Sequence, residues 1–266
     1  MTGVRAGLCS ITFRSLDVAA IIDLAVSAGL DGIEWGADLH VPAGDGRHAT
    51  DVARRSADAG LSCPSYGSYV MAGRTSTAEV VEVLQTAVDL GTTSVRIWAP
   101  FGTGPDAPAA ERATIADGIR EAADLAAQHD LAVSLEFHPG TLTGTAASTL
   151  DLLAAVDRPN LFTYWQPDPS LGDASALEEL AAVRPRLSHL HVFSWGTGFD
   201  DRRPLAAGTG IWERALGEAG GRDPWTLGGR ERYAFLEYVL DDDPANLRGD
   251  AATLRTWLGV EESADA

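Results

Sequence analysis

Four short stretches in the second half of the chain each end an apolar run with a side chain able to hold a metal ion. They are LEFH with Glu136, YWQP with Gln166, HLHVF with His191 and FLEYV with Glu237. Oxygen and nitrogen donors converging from four separate elements are what a divalent-metal site with acid/base capacity requires, and no other set in the sequence offers that convergence. Glu136 and Glu237 would also put a carboxylate on either face of a carbon held between them, which suits proton removal and redelivery with inversion. A bound Mn²⁺ or Mg²⁺ would polarise a carbonyl and the adjacent hydroxyl and so stabilise an ene-diolate. With Gln166 as a neutral oxygen donor the ligand charges balance the divalent ion. An aspartate in its place would bind metal more tightly and leave it a weaker Lewis acid.

The elements that must position these groups are legible as strand-like runs alternating with Ala-rich, helix-period segments. The strands are expected near Arg5 to Ile11, Gly32 to Trp35, Ser62 to Tyr66, Ser94 to Trp98, Ala132 to Phe137, Leu161 to Trp165, Ser188 to Phe193 and Tyr233 to Val239. The clearest helices are Leu16 to Ala28, Ala78 to Leu90 and Ala109 to His129, with apolar residues at i, i+3 and i+4. Gly29, Gly60 and Gly91 sit where a helix ends and a strand enters, and predict left-handed caps. Repeated βα units at a spacing of about thirty residues predict an α/β fold, a closed (β/α)8 TIM barrel filling residues 1–266 as one domain, rather than an open doubly wound sheet. No G-x-G-x-x-G follows the first strand, so a dinucleotide fold loses its main support. Ser194 to Trp212 is read as a long loop after strand seven, Gly220 to Arg232 as a second connection able to cover the same mouth, and residues 259–266 as a frayed tail.

In such a barrel the catalytic groups stand where the strands end, and the four opening residues end strands five to eight. His138 follows Glu136 by two and shares its face. It is a candidate for a sugar hydroxyl, whereas His189, a layer deeper than His191, reads as packing. Glu34 and His40 are candidate substrate or metal-shell groups. Arg96, among apolar residues, needs a carboxylate partner: Glu34 could supply it, and Arg96 is a candidate either to orient Glu136 through an inward ion pair or to bind the substrate by direct contact with an oxyanion. Arg202 and Arg203 are candidate ligands for a substrate phosphate or hydroxyl. Trp35, Trp98, Trp165 and Trp195 close four strands and would offer flat faces to the C–H faces of a sugar.

The formal net charge of -18 repels phosphate backbones and anionic membranes, so nucleic acid and membrane surfaces are not expected partners. All 20 basic residues are arginine, which excludes Schiff-base, pyridoxal-phosphate and lysine-base chemistry. The two cysteines, Cys9 and Cys63, lack metal or redox spacing and fit a reducing cytoplasm. No apolar run approaches the ~18 residues of a membrane span.

The phrases DGIEWGADLHVP, LAVSLEFHPGTLT, LSHLHVFSW, RRPLAAGTGIWERAL and YAFLEYVLDDDPANLRGDAATLRTWL resemble the xylose-isomerase-like sugar phosphate isomerase/epimerase superfamily along essentially the whole chain. The resemblance implies a TIM barrel with a divalent metal held by Glu, Asp, His and Glu from strands five to eight. Glu136, His191 and Glu237 match three of these, with the two glutamates also acting as acid and base. Gln166 stands where the family usually has aspartate, and Pro169 where some members carry a histidine. The DNA-repair branch similar to endonuclease IV needs extra early-strand histidines and a basic groove, and neither is visible here. True xylose isomerases use a lysine near the reacting carbons, so a lysine-free chain favours proton transfer. The resulting expectation is a metal-dependent isomerase or epimerase of a sugar or keto-sugar. A lyase or dehydratase working by β-elimination on a keto-sugar, cyclitol or glycoside is the alternative, and a carbohydrate-binding barrel with a degraded metal site the third reading. A homo-oligomer is compatible with it, since a second subunit often closes the mouth in this superfamily.

Overall fold

The computed structural model describes residues 3–196, 198 and 200–260. Eight parallel strands close into a barrel in sequence order: β1 (Val4–Cys9), β2 (Gly32–Gly36), β3 (Tyr66–Met71), β4 (Ser94–Trp98), β5 (Ala132–Leu135), β6 (Leu161–Trp165), β7 (Leu187–Val192) and β8 (Arg232–Leu236). β1 pairs with β8 through Val4 to Leu8, so no sheet edge is left open. The crossovers carry α1 (Val18–Ser27), α2 (Gly46–Asp58), α3 (Thr77–Asp89), α4 (Ala109–Ala127), α5 (Ala146–Val156), α6 (Asp173–Val183), α7 (Thr209–Ala219) and the short α8 (Pro224–Leu227), and α9 (Leu247–Leu258) follows β8.

Two-residue alternation sorts each strand's side chains between layers. Ile33, Trp35, Val95, Ile97, Val133, Leu135, Leu190, Val192 and Leu236 face the helices and make the main apolar core. The opposite set fills the barrel, with Ser94, Phe162, His189 and Tyr233 below and Glu34, Arg96, Tyr164 and His191 above, all fully buried. The interior is thus a packed column rather than a pore. Phe235 needs the space beside Gly7, where a Cβ would stand 2.6 Å from its ring.

Gly29, Gly60 and Gly91 adopt φ of 67°, 79° and 72°, the left-handed caps expected at those joints. After α4 the same turn falls to Asp130 at φ 57°, a position asparagine and aspartate tolerate better than most residues. Strand three is displaced from its expected place. Ser62 makes only an isolated bridge to Gly32, and the ladder resumes at Tyr66, because Pro64 offers no N–H to continue it. Strand one stops at Cys9, where Ser10–Phe13 coils into a 3-10 turn.

Two connections differ from expectation. The stretch from Ser194 is not loop throughout: Trp195 bridges Arg202, Leu205–Gly208 forms a 3-10 turn and α7 begins at Thr209. Burial of Trp212, Ala215, Leu216 and Ala219 on one helix face stabilises α7 despite Gly210 in its first turn. The connection from Gly220 to Arg232 precedes β8, so it lies at the opposite end of the barrel from the mouth. There Trp225 meets Phe162 and His189 with ring centroids 5.0 and 4.9 Å apart. Asp223 ties α8 down by pairing with Arg184 and Arg232. Among the described residues no helix is long and apolar enough to cross a membrane. The tail expected to fray lies, from residue 261, outside the described residues.

Candidate active site

Glu136, Gln166 and Glu237 are each the first residue after a strand, and His191 is the penultimate residue of β7. The backbone N–H groups of Glu136 and Glu237 donate to Ile97 O at 2.9 Å and Val192 O at 3.0 Å, which extends the ladder by one bond and fixes where each carboxylate leaves the barrel. The four side chains meet. His191 Nδ1 lies 3.2 Å from Glu136 Oε1 and 3.5 Å from Glu237 Oε2. The Gln166 amide nitrogen donates to Glu136 Oε1 at 3.1 Å and to Phe137 O at 2.8 Å.

Beneath them lies a second layer of charge. Arg96 Nη1 is 2.9 Å from Glu136 Oε2 and 3.4 Å from Glu34 Oε1, with all three side chains no more than 2% exposed. His191 Nε2 is 3.2 Å from the same Glu34 oxygen. Tyr164 donates its hydroxyl to Glu34 Oε2, and the Cys9 thiol donates to Glu34 Oε1 at 3.3 Å. Gly67 leaves room for the pair, since a Cβ there would stand 3.0 Å from Glu34 Oε1 and 3.1 Å from Arg96 Nη2.

These contacts set the protonation tendencies. Burial pushes the Glu34 and Glu136 carboxyls up, but Arg96 and His191 outweigh it and hold both below the usual carboxylate range. Glu237 is raised, because burial and the nearby Glu136 outweigh His191 and Arg96. For His191 burial acts downward, yet Glu237, Glu136 and Glu34 together raise it well above its ordinary value. Burial, helped by Glu34, pushes the Cys9 thiol up to about 12, which leaves it a neutral donor. His189 is held down to about 3 by burial, and its Nδ1 accepts the Tyr233 N–H at 3.1 Å. It packs the barrel interior one layer below the site.

The donor set suits a divalent cation. Gln166 Oε1 is a buried acceptor with no hydrogen-bond partner among the described residues. Its amide nitrogen is occupied by Glu136 and Phe137, so the oxygen is the atom left to coordinate. A bound cation would take the place of the proton on His191 Nδ1; with Nε2–H donating to Glu34, Nδ1 then presents its lone pair beside Glu136 and Glu237, which is the carboxylate–histidine–metal arrangement that fixes tautomer and ring direction. Glu34 and Arg96 cancel one another in charge, so a divalent ion would be balanced by Glu136 and Glu237. Cys9, Glu34 and His191 also have ligand atoms within 4.8 Å of one another, but Cys9 is better described as a hydrogen-bond donor to Glu34.

A cavity of about 340 Å³ opens above this floor, and Arg96, Glu136, Gln166 and Glu237 reach its surface. Its walls are Tyr69, Trp98, Phe101, His138, Phe193, Trp195 and Tyr238, with Arg202 and Asp200 at the rim. His138 sits edge-on to Phe101 and beside Trp98, with centroids 5.1 and 5.4 Å away. Trp98 Nε1 is a buried donor without a hydrogen-bond partner among the described residues. Tyr238, directly after Glu237, holds a left-handed φ of 64°, a conformation costing a bulky residue on the order of 1 kcal/mol. Its N–H donates to Thr12 Oγ1 at 3.0 Å, and the Arg202 guanidinium lies 4.3 Å above its ring.

Several expected site residues lie elsewhere. Trp165 is fully buried and points away from the cavity, edge-on to Trp212 at 5.8 Å. Trp35 points outward too. Since Tyr164, Gln166 and Glu34 face inward, alternation requires both tryptophans to face the helices. His40 is a buried clamp, with Nδ1 3.0 Å from Ser10 Oγ and Nε2 3.2 Å from Leu16 O, and it does not line the cavity. Glu34 is fully buried under the floor, where it contacts Arg96 and His191, and it does not line the cavity. Arg203 turns to Asp201 at 2.8 Å and lines a neighbouring groove, so Arg202 is the loop arginine at the cavity. Tyr164, Tyr69, Phe101 and Tyr238 were not anticipated. Only Tyr164 carried a sequence signal, its two-residue spacing from Gln166.

The chain is 28% identical over 203 residues, 71% of each chain, to a 3-dehydroshikimate dehydratase of Bacillus anthracis. The structure of a D-allulose 3-epimerase from Methylomonas sp. superposes with a TM-score of 0.68 at 17% identity, covering 95% of this chain and 97% of that one. A Mycobacterium smegmatis protein of the same barrel type, solved in complex with magnesium, gives a TM-score of 0.69 at 16% identity over 96% of both chains. A family model described as Xylose isomerase-like TIM barrel matches residues 22–240, and the chain, with its closed eight-stranded barrel and converging strand-end donors, belongs to that family.

Proposed function

We propose that this barrel is an isomerase or epimerase that moves a proton at a carbon beside the carbonyl of a neutral ketose or keto-sugar. Glu136 and Glu237 are the acid/base pair, and Glu136, Gln166, His191 and Glu237 hold one divalent cation, Mn²⁺ or Mg²⁺. The observation that carries this reading is the convergence of two carboxylates from β5 and β8 on one imidazole nitrogen at the floor of an aromatic-walled cavity. When bound, the cation supplies Lewis-acid polarisation of the carbonyl and hydroxyl oxygens.

The chain's own residues do the rest. Arg96 and the Gln166 amide hold Glu136 in one orientation and favour its ionised form, so it is placed to take a proton. Among the described residues Glu237 has no arginine within pairing distance, and it is placed to return a proton. Trp98 Nε1 and His138 offer polar contacts to hydroxyls, while Tyr69, Phe101 and Trp195 shield the reacting carbon from water and present flat faces to a ring. Both arginines of the cavity already face carboxylates, Arg96 on Glu34 and Glu136 and Arg202 on Asp242. That pairing supports a neutral substrate over a phosphorylated or carboxylated one.

The second reading is a dehydratase that uses the same proton abstraction to expel a β-hydroxyl, and the dehydratase relative favours it. The uncommitted Gln166 Oε1 favours an intact metal site over a degraded one that only binds carbohydrate. Incubation of the metal-loaded protein with neutral ketoses and keto-glycosides in D₂O tests the choice. Deuterium at the α-carbon of recovered sugar supports isomerisation, an unsaturated product supports dehydration, and the absence of both, with Mn²⁺ and with Mg²⁺, counts against proton transfer on a neutral sugar.

A further inference from the structure

We infer that the site continues into a second sugar subsite, so that the substrate is a glycoside with a second ring rather than a free monosaccharide. This rests on the reading that the cavity above Glu136 and Glu237 holds a keto-sugar. A groove of about 250 Å³ lies between the loops after β6 and β7 and the start of α7, and it shares Pro167, Pro169, Phe193 and Trp195 with the central cavity. Phe193 and Trp195 stack with centroids 4.1 Å apart and planes at 20°. They form one aromatic ridge common to both spaces, across which a two-ring ligand would lie.

The groove's volume corresponds to about eight waters of liquid, room for one six-membered ring with its hydroxyls. Its chemistry differs from the aromatic cavity. Asp168, Asp173 and Ser194 line it, and Arg203 is held by Asp201. Carboxylate and hydroxyl oxygens accept hydrogen bonds from sugar hydroxyls, whereas two acids against one paired arginine disfavour an anionic group. The wall at Gly210 carries no side chain, and a Cβ there would meet only Asp173 Oδ2 at 3.7 Å, ordinary contact. The position therefore has room at Cβ for a side chain beside Asp173, which makes it the place to introduce bulk at the groove wall.

The test compares a keto-disaccharide with the methyl glycoside of the same keto-sugar, using equilibrium tryptophan fluorescence of the metal-loaded protein, with deuterium uptake followed in parallel. The expected result is at least tenfold tighter binding of the disaccharide, an advantage that Gly210→Phe abolishes and Asp173→Ala reduces. A ratio near one in the wild-type protein, a ratio unchanged in both variants, or no binding of either ligand overturns the subsite. The two claims fail separately. Deuterium uptake with a ratio of one leaves the proposed reaction standing without the subsite, and a tenfold ratio without uptake leaves the subsite standing without the reaction.

Discussion

Replacing Arg96 with methionine keeps most of the side chain's length and removes its charge from between two buried carboxylates. Arg96 is 1% exposed, with Glu136 Oε2 at 2.9 Å and Glu34 Oε1 at 3.4 Å. At an effective dielectric near 20, each such contact is an attraction of about 5 kcal/mol before desolvation. The net loss on stranding a buried partner is typically about 3–5 kcal/mol, a large part of the roughly 5–15 kcal/mol that holds a domain folded. We expect Arg96→Met to lower the unfolding free energy at pH 7 by that amount in urea titrations with EDTA, where no cation takes over the arginine's role. Glu34→Gln in the same background removes one stranded carboxylate and should recover at least ~1.5 kcal/mol, a coupling that a double-mutant cycle reads directly. A loss below about 1 kcal/mol for Arg96→Met, or additive effects in the cycle, would refute the ion-paired floor.

Gln166→Asp exchanges a neutral ligand oxygen for a charged one and also breaks the amide's bonds to Glu136 and Phe137. Metal affinity by calorimetry should rise about tenfold or more, equivalent to roughly 1.4 kcal/mol, and unchanged or weaker binding would count against coordination by Gln166. At the other end of the barrel, Asp223→Asn should cost about 2–4 kcal/mol by leaving Arg232 short of its partner. Thr226 N–H, Arg232 and Arg184 outweigh burial and hold the Asp223 carboxyl below its ordinary value. Its contribution is therefore full above the unfolded-chain pKa near 4 and lost as pH falls through the lower folded value. The gap between wild type and Asp223→Asn should be flat from pH 7 to 5 and close below pH 4. Trp165→Ala should cost about 3–5 kcal/mol as a core cavity and leave KM within about twofold. A large KM effect with little loss of stability would return Trp165 to the substrate wall.

The sequence made the barrel legible because each βα joint repeats one physical solution, a left-handed residue such as Gly29 or Gly60 ending a helix before a buried strand. The four strand-end donors were legible for the same reason, since position on a strand determines both height and face in a closed barrel. The Glu34–Arg96 pairing followed from charge among apolar neighbours. What failed was direction. Trp165 and Trp35 look like sugar platforms by type, yet the alternation that turns Gln166 and Glu34 inward turns them outward. Pro64 displaced a strand whose composition alone read as continuous. The loop from Ser194 gave no means of telling Arg202 from Arg203, because their separation depends on the bridge between Trp195 and Arg202. Tyr69 lies on β3 two residues past the inward-facing Gly67, beyond the expected end of that strand at Tyr66, and Phe101 lies in the loop after β4, where no periodic pattern marks it.

Proton transfer by the paired glutamates is tested most directly by α-carbon deuterium incorporation from D₂O in Glu136→Gln and Glu237→Gln, at saturating cation and with bound metal measured. Each variant should lose about 10²- to 10⁴-fold in exchange rate while still binding the sugar. Wild-type exchange in both variants with metal bound would contradict the assignment of these two carboxylates as acid and base.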